Sequence, residues 1–271
     1  MKKLSIITIC YNEPNLEKTC ESIVNQTWQD FEWIVVDGGS NEETQKIWDK
    51  YKHRIDKFIS ESDNGIYNAC NKGIKLASGE YIQFLNAGDM YYNLDVLKTI
   101  FMQNSYVDDV IYGEQNEVYT DSSKNHISKQ PNVNTQFLIT NCIQTSAAFI
   151  KRELFNRYGL FNESYKIVSD YEQWIIFYKN GVKFRHINTV VTIFDKHGIS
   201  SSEQYKELHN KEREEVIKKY FSDEEIKDAR KKYKDFTLLE KIFSITNSRN
   251  HKHKVITFLG FHLNIKRKQN V

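Results

Sequence analysis

Apolar positions along most of the chain alternate between two periods, and the switches between them fall at turn signals. Leu4-Ser5-Ile6-Ile7-Thr8-Ile9 is a β-rich run that Cys10-Tyr11-Asn12-Glu13-Pro14 breaks as a loop. Leu16, Cys20, Ile23 and Val24 then recur on one helical face. Phe31 to Val36 reads as a second strand ending in Asp37-Gly38-Gly39-Ser40; Ile47, Trp48 and Tyr51 mark a helix, and Phe58-Ile59 a short third strand. Asp63 and Gly65 precede a helix with Ile66, Cys70 and Ile74 at apolar spacing. Gly79 ends it, and Tyr81-Ile82-Gln83-Phe84-Leu85 reads as a buried strand running into Asn86-Ala87-Gly88-Asp89. Strands alternating with helices predict βαβ units and a mostly parallel sheet, an α/β fold. Ligands of such sheets sit outside the carboxyl ends of the strands, so acids placed there are the first candidates for chemistry.

The second half continues with a helix around Leu94 to Met102, a strand at Val110 to Gly113, and Glu117-Val118-Tyr119 pairing beside it. Residues 121–134 are polar, contain Pro131 and show no period, which predicts a long loop, either a binding loop or plain surface. A strand at Ala147 to Ile150 leads to a helix over Arg152 to Tyr158. Ser169 reads as an N-cap, with Asp170 at the start of a helix whose Trp174, Ile175 and Tyr178 face the core. Thr189 to Phe194 is the last strand before Asp195-Lys196-His197-Gly198. Glu203 to Tyr220 and Asp223 to Tyr233 read as two charged helices, the second opened by the capping box Ser222-x-x-Glu225.

Composition narrows the class. A chain of 271 residues holds one large domain, or one domain and an extension. Its net charge of +2 is unevenly spread: Lys241 to Val271 carries seven Lys and Arg and no acid, which leaves −5 for residues 1–240. A basic tail on an acidic body points to an anionic surface, membrane or nucleic acid. No recognised nucleic-acid module accompanies it, so nucleic acid is disfavoured. Cys10, Cys20, Cys70 and Cys142 lie far apart without ligand spacing and read as reduced core thiols of a cytosolic protein. The first residues go straight into a strand without a signal-peptide pattern, and no apolar run approaches the ~20 residues of a membrane span. There is no G-x-G-x-x-G after the first strand and no G-x-x-x-x-G-K-[ST], which disfavours a dinucleotide dehydrogenase and a P-loop kinase.

The stretch Glu61 to Asp89, ESDNGIYNACNKGIKLASGEYIQFLNAGD, with the two strand-end loops before it, resembles the nucleotide-sugar glycosyltransferases of the GT-A fold, in the large inverting family two. The form Leu-Asn-Ala-Gly-Asp resembles a branch of bacterial capsule, lipopolysaccharide and exopolysaccharide transferases. The resemblance covers about residues 4–200. It implies a GT-A catalytic domain over residues 1–205, a Rossmann-like, mostly parallel mixed sheet flanked by helices, and a helical, basic extension over 206–271.

It also implies a site, residue by residue. In the family a strand ends in an Asp-x-Asp-type turn that holds a divalent metal, Mn or Mg, against the sugar diphosphate. Here Asn86 and Gly88 stand at the earlier acidic positions and Asp89 is the one carboxylate left. His197 in the post-sheet loop is the implied complement as a metal ligand. The nucleotide site falls to Thr8, Tyr11, Glu13, Asp37, Asp63 and Asn86, with Asp37 accepting the base N3–H, a contact that selects an imide such as uracil. Lys72 suits either a phosphate or the C-terminal half of its own helix, the structural role being favoured. Asp170 resembles the family's catalytic base, Glu172 is the fallback, and Gln144 lies on the acceptor side, although the family's His-Gln is Ile143-Gln144 here. Without the resemblance these residues read as a β-turn, helix caps and first-turn acids.

The implied activity is inverting transfer of a sugar from a nucleoside diphosphate sugar, UDP-linked by preference, to a hydroxyl of a growing, lipid-linked surface glycan. The thinned acidic turn motivates the alternative of a non-catalytic sugar-nucleotide-binding subunit of a polysaccharide assembly complex. The tail, with Phe243, Val255, Ile256, Phe258, Leu259 and Phe261 among its basic residues, suits peripheral docking on the anionic inner face of the membrane or, equally, a hairpin covering an apolar patch. The charged helices pack on the catalytic domain or pair with another subunit as a homo-oligomer.

Overall fold

The computed structural model describes residues 2–103, 106–118, 126–196, 202–247, 253–258 and 261–266, with the side chains of Asp195 and of residues after 234 left outside it. It forms two compact units, Met1–Asn134 with Cys142–Tyr220, and Thr135–Asn141 with Phe221–Val271.

The first unit runs β1 (Leu4–Cys10), α1 (Leu16–Val24), β2 (Phe31–Asp37), α2 (Glu42–Tyr51), β3 (Lys57–Ser60), α3 (Ile66–Leu76), β4 (Tyr81–Phe84), β5 (Met90–Tyr91), α4 (Val96–Phe101), β6 (Val110–Val118) and β7 (His126–Ser128). After α5 (Thr135–Thr140), which belongs to the second unit, come β8 (Ala148–Lys151), α6 (Glu153–Tyr158), α7 (Ser169–Lys179), β9 (Phe184–Asp195) and α8 (Lys206–Tyr220). The strand order is β3-β2-β1-β4-β8-β6-β9-β5, with β7 added to β6. β3, β2, β1 and β4 are mutually parallel, as are β6 and β9; β8 is antiparallel to both β4 and β6, and β5 to β9. This is the mixed, helix-flanked α/β sheet of a GT-A fold.

Every residue of β1 and β2 is buried, as parallel strands covered on both faces require. Leu4, Ile6, Trp33 and Val35 pack with Leu16, Cys20 and Ile23 of α1 and Trp48 of α2. α3 covers the other face, and Gly73 sets how closely: a Cβ there would stand 2.5 Å from Ile7 Cγ2. The helix gives up roughly 1 kcal/mol of propensity at that glycine; the close approach to β1 accounts for it.

Two strands are longer than their apolar patterns predict. β6 continues through Glu117-Val118, and β9 begins at Phe184. The two pair in parallel with a register shift around Gly113, where a Cβ would meet Thr189 O at 2.5 Å. Ser146, in the turn before β8, gathers polar side chains from the sheet: Gln115 Nε2 of β6 donates to its Oγ at 2.6 Å, and Gln83 Nε2 of β4 to its carbonyl at 2.8 Å. A buried polar lining of this kind hides the alternation by which a strand is recognised.

In the second unit α9 (Asp223–Ile242) leads into a three-stranded antiparallel sheet, β10 (Phe243–Asn247), β11 (His253–Phe258) and β12 (Phe261–Lys266). The capping box is formed: Glu225 N donates to Ser222 Oγ at 3.3 Å and Ser222 N to Glu225 Oε2 at 2.7 Å. Among the described residues no helix is long and apolar enough to cross a membrane.

Candidate active site

Parallel register puts Cys10, Asp37 and Ser60 level at the ends of β1, β2 and β3. The loops that follow are tied together by backbone polar groups that need partners. Asn12 N donates to Ser40 Oγ at 2.9 Å, and Asn41 N donates to Asn12 Oδ1 at 2.8 Å. Gly38 lies in the middle: a Cβ there would stand 2.7 Å from Asp63 Oδ2 and 3.4 Å from Tyr11 Cδ2. Tyr11 is 67% exposed, so a bare aromatic ring and a carboxylate flank one glycine at the sheet's carboxyl edge. Gly65 N donates to Asp63 Oδ1 at 2.8 Å, an Asx turn that opens α3.

Asp37 is wholly buried and held by its neighbours. Its Oδ2 accepts from Ser40 N at 3.0 Å, Gln45 Nε2 at 2.8 Å and Ser60 Oγ at 2.6 Å, whereas Oδ1 faces only Trp48 Nε1, at 3.4 Å. Burial alone would raise its proton affinity, but the bonds from Ser40, Ser60 and Gln45 outweigh that and hold the carboxyl below the usual carboxylate range. The charge is therefore fixed in place, and this wholly buried carboxylate, already bonded to Ser40, Gln45, Ser60 and Trp48, holds the loops together and presents no open face to a ligand.

Two further residues expected at the nucleotide are placed otherwise. The Thr8 hydroxyl is buried in the helix-covered core, where it accepts from Trp33 Nε1 at 3.0 Å, so Thr8 offers a ligand no side-chain contact. Lys72 reaches back along α3 to Glu61 Oε1 at 2.7 Å and the Ser62 carbonyl at 3.4 Å, bracing the Asp63 loop, while the C-terminal end of α3 is met by Lys57 Nζ on the Leu76 carbonyl at 2.6 Å.

The acidic turn continues the β1 ladder: Leu85 N donates to Ile7 O and Ala87 N to Ile9 O, each at 3.0 Å. Asp89 N then closes on Asn86 O at 3.0 Å through Gly88, whose φ of +101° only glycine adopts readily. Glu13 lies against this turn, its carboxyl carbon 3.4 Å from where a Gly88 Cβ would be. Asp89 is buried, and Asn86 Oδ1 is buried without a partner among the described residues. The donors gathered here are hard oxygens, which fit Mg²⁺ or Mn²⁺ as a partial set that phosphate oxygens would complete. No group of three or more His, Cys, Asp and Glu that could hold a metal occurs among the described residues, and His197 lies outside them.

Asp170 stands in the first turn of α7, half-buried. Its Oδ1 accepts from Tyr67 Oη at 2.8 Å and from Tyr171 N at 2.9 Å, and its Oδ2 from Thr145 Oγ1 at 2.7 Å. Tyr67 belongs to α3 and Thr145 to the short 3-10 turn Thr145–Ala147, so three elements meet at this carboxylate. Gln144, half-buried beside Thr145, closes that turn by accepting from Ala147 N at 3.0 Å. Neither Tyr67 nor Thr145 stands out in sequence, although Tyr67 lies inside the Glu61 to Asp89 stretch and Thr145 directly follows Gln144.

Glu172 does not belong to this site. It is buried and paired with Lys219 Nζ at 2.8 Å, Tyr220 Oη at 3.0 Å and Asn162 Nδ2 at 3.1 Å. Positions two apart on a helix face away from one another, so Glu172 anchors α8 while Asp170 faces the sheet edge. The thiols are passive: burial raises Cys10 and Cys20 to about 12, so both stay protonated.

The mixed, helix-flanked α/β sheet is that of a GT-A fold, and comparison with known proteins fixes the family. The chain belongs to glycosyl transferase family 2, whose family profile matches residues 5–159. It is similar to a PGL/p-HBAD biosynthesis glycosyltransferase of Mycobacterium tuberculosis, 29% identical over 201 residues that cover 72% of this chain and 77% of the relative. It is also similar to the UDP-Glc:alpha-D-GlcNAc-diphosphoundecaprenol beta-1,3-glucosyltransferase WfaP of Escherichia coli, 30% identical over 222 residues, 77% of this chain and 83% of that one. Among solved structures, S. aureus TarS in complex with UDP-GlcNAc matches with a TM-score of 0.60 at 20% identity over 74% of this chain and 61% of its own. The mannosyltransferase PcManGT from Pyrobaculum calidifontis, in complex with GDP-Man and Mn²⁺, matches at 0.62 and 18% over 84% and 69%. The chain thus spans about three fifths of the TarS chain.

Proposed function

We propose that this protein transfers a sugar from a nucleoside diphosphate sugar, UDP-linked by preference, to a hydroxyl of a growing, lipid-linked surface glycan, with inversion at the anomeric carbon. The observation that carries this reading is the Asp170 carboxylate, oriented by three donors at a helix N-terminus.

On this reading Tyr11 and Asp63 wall the base and ribose, and the buried Asp37 braces the loops that carry them. Asp170 takes the acceptor hydroxyl's proton while that oxygen attacks the anomeric carbon. The bond from that carbon to the diphosphate oxygen breaks and its electron pair leaves with the nucleotide, so a single displacement inverts the centre. Asp89, with the Asn86 Oδ1 and the phosphates, would hold a divalent cation, which supplies neutralisation of the departing diphosphate. Residues 1–205 carry the donor and acceptor sites, and the basic 241–271 tail docks the protein on the inner face of the membrane. The Escherichia coli relative, whose name specifies a UDP-sugar donor and a diphosphoundecaprenol-linked acceptor, supports the donor class and the lipid-linked acceptor.

Thermal-shift titration with UDP, GDP and TDP, each with and without Mn²⁺, tests it. A ligand that binds only the native state raises Tm by mass action. Stabilisation by UDP that strengthens with Mn²⁺ is the expected result; no shift with any nucleotide overturns the donor assignment.

A further inference from the structure

The three donors on Asp170 are unequally shared. A carboxylate oxygen offers two lone-pair directions, although a crowded one such as Asp37 Oδ2 takes a third donor. Oδ1 of Asp170 has two donors, Tyr67 Oη and Tyr171 N, whereas its Oδ2 has one, Thr145 Oγ1. Among the described residues the more open acceptor position of this half-buried carboxylate is therefore on Oδ2, beside Thr145.

We propose that Tyr67 and Thr145 are positioning residues for the base: together they fix the Asp170 carboxylate in one rotamer and leave Oδ2 as the oxygen that takes the acceptor's proton. The proposal rests on the reading of Asp170 as the base.

Tyr67 suits this role in both protonation states of its partner. Its Oη lies 2.8 Å from Asp170 Oδ1 and 2.6 Å from the Ile167 carbonyl, so one hydrogen has two acceptors. While Asp170 is ionised it is the stronger acceptor. Once Oδ2 carries a proton, the hydrogen turns to Ile167 and no buried hydroxyl is left unpaired. Burial first, and the neighbouring Asp170 charge second, push the phenol well above its ordinary range, so Tyr67 stays a donor. Its ring is fixed against Phe161 with centroids 5.5 Å apart.

The two hydroxyls also come from different elements of the fold. Tyr67 stands on α3, which the Asp63 loop opens, and Thr145 follows Gln144 on the proposed acceptor side. A proton acceptor misplaced by even ~1 Å costs about 100-fold in rate, so holding it from two elements matters more to turnover than to binding.

The test is steady-state UDP release from UDP-glucose and UDP-N-acetylglucosamine by the full chain carrying Tyr67→Phe, Thr145→Val or Thr145→Ser, with UDP affinity measured beside it. Tyr67→Phe keeps the ring and Thr145→Val keeps the volume. The expected result is a kcat lower by about 10- to 100-fold in both, with donor KM and UDP affinity unchanged and Thr145→Ser close to wild type. A kcat within about twofold of wild type in both variants, or a parallel loss of UDP affinity that Thr145→Ser does not restore, overturns the proposal. Asp170→Asn separates the two levels. Wild-type turnover there removes the base reading itself; lost turnover there with unaffected Tyr67 and Thr145 variants removes only the positioning role.

Discussion

Glu212 of α8 accepts the backbone N–H of Ile167 at 2.9 Å through one carboxylate oxygen, and that of Lys166 at 2.8 Å through the other. Ile167 and Lys166 belong to the segment that delivers Asp170 to the first turn of α7. Glu212 is itself buried, and the same helix holds α7 a second time where Lys219 and Tyr220 meet Glu172. A helix that reads as a charged appendage is thus part of the frame of the site.

Truncating Glu212 to Ala leaves two amides without their acceptor, and unmet buried groups cost about 1–3 kcal/mol each. The expected outcome is a loss of roughly 2–5 kcal/mol in urea denaturation. UDP affinity should stay near wild type, because the Asp37 and Asp63 loops do not touch this clamp.

Gly38→Ala separates the nucleotide pocket from overall stability. The new methyl would stand 2.7 Å from Asp63 Oδ2, so that carboxylate must swing away, while the Tyr11 ring at 3.4 Å stays in contact. Calorimetric titration should show UDP binding weakened by about 10-fold or more, roughly 1.4 kcal/mol. A Tm near wild type would accompany it, since the displaced carboxylate belongs to a loop.

Acid stability should depend on Glu32, at the end of the sheet where β2 begins. Its buried carboxylate accepts from Ser5 Oγ at 2.6 Å and Gly79 N at 3.1 Å, and pairs with Lys57 at 3.0 Å. Burial works to raise its proton affinity, but the bonds from Ser5, Ser78 and Lys57 win and lower it from 4.5 to about 2. A carboxyl depressed in the folded state takes up its proton later than in the unfolded chain. Its contribution is therefore complete above about pH 4.5 and is lost as pH falls toward about 2. Urea midpoints across that window should fall steeply in the wild type. In Glu32→Gln they should be lower at neutral pH and flatter toward acid.

The parts of the molecule legible in the sequence are those fixed by local pattern. β1, β2 and β4 are mostly apolar runs, and each ends in a turn whose polar residues stand out against it, which brought Glu13, Asp37 and Asp89 forward. Gly73 stands inside a helix pattern, where a glycine signals close packing, and Ile7 is what it packs against. What local pattern does not carry is direction and distance. Glu172 and Asp170 look equally acidic in one helix turn, yet one faces α8 and the other the sheet edge. Tyr67 reads as an apolar helix residue until its hydroxyl is found against a residue 103 positions later. Thr8 follows the motif in sequence, but the strand's alternation turns its side chain to Trp33. Lys72 pairs with Glu61 because the loop before α3 folds back over the helix, a closure no spacing rule encodes.

The most direct test of the account is Asp170→Asn measured for two quantities on one preparation: UDP affinity by calorimetry and sugar transfer under single-turnover conditions. The substitution keeps the size of the side chain and removes the proton acceptor. The account predicts transfer reduced by about 100- to 10,000-fold, the usual contribution of a general base, with UDP affinity unchanged. Transfer at the wild-type rate with intact UDP binding would contradict it, and the base would have to be sought elsewhere in the chain.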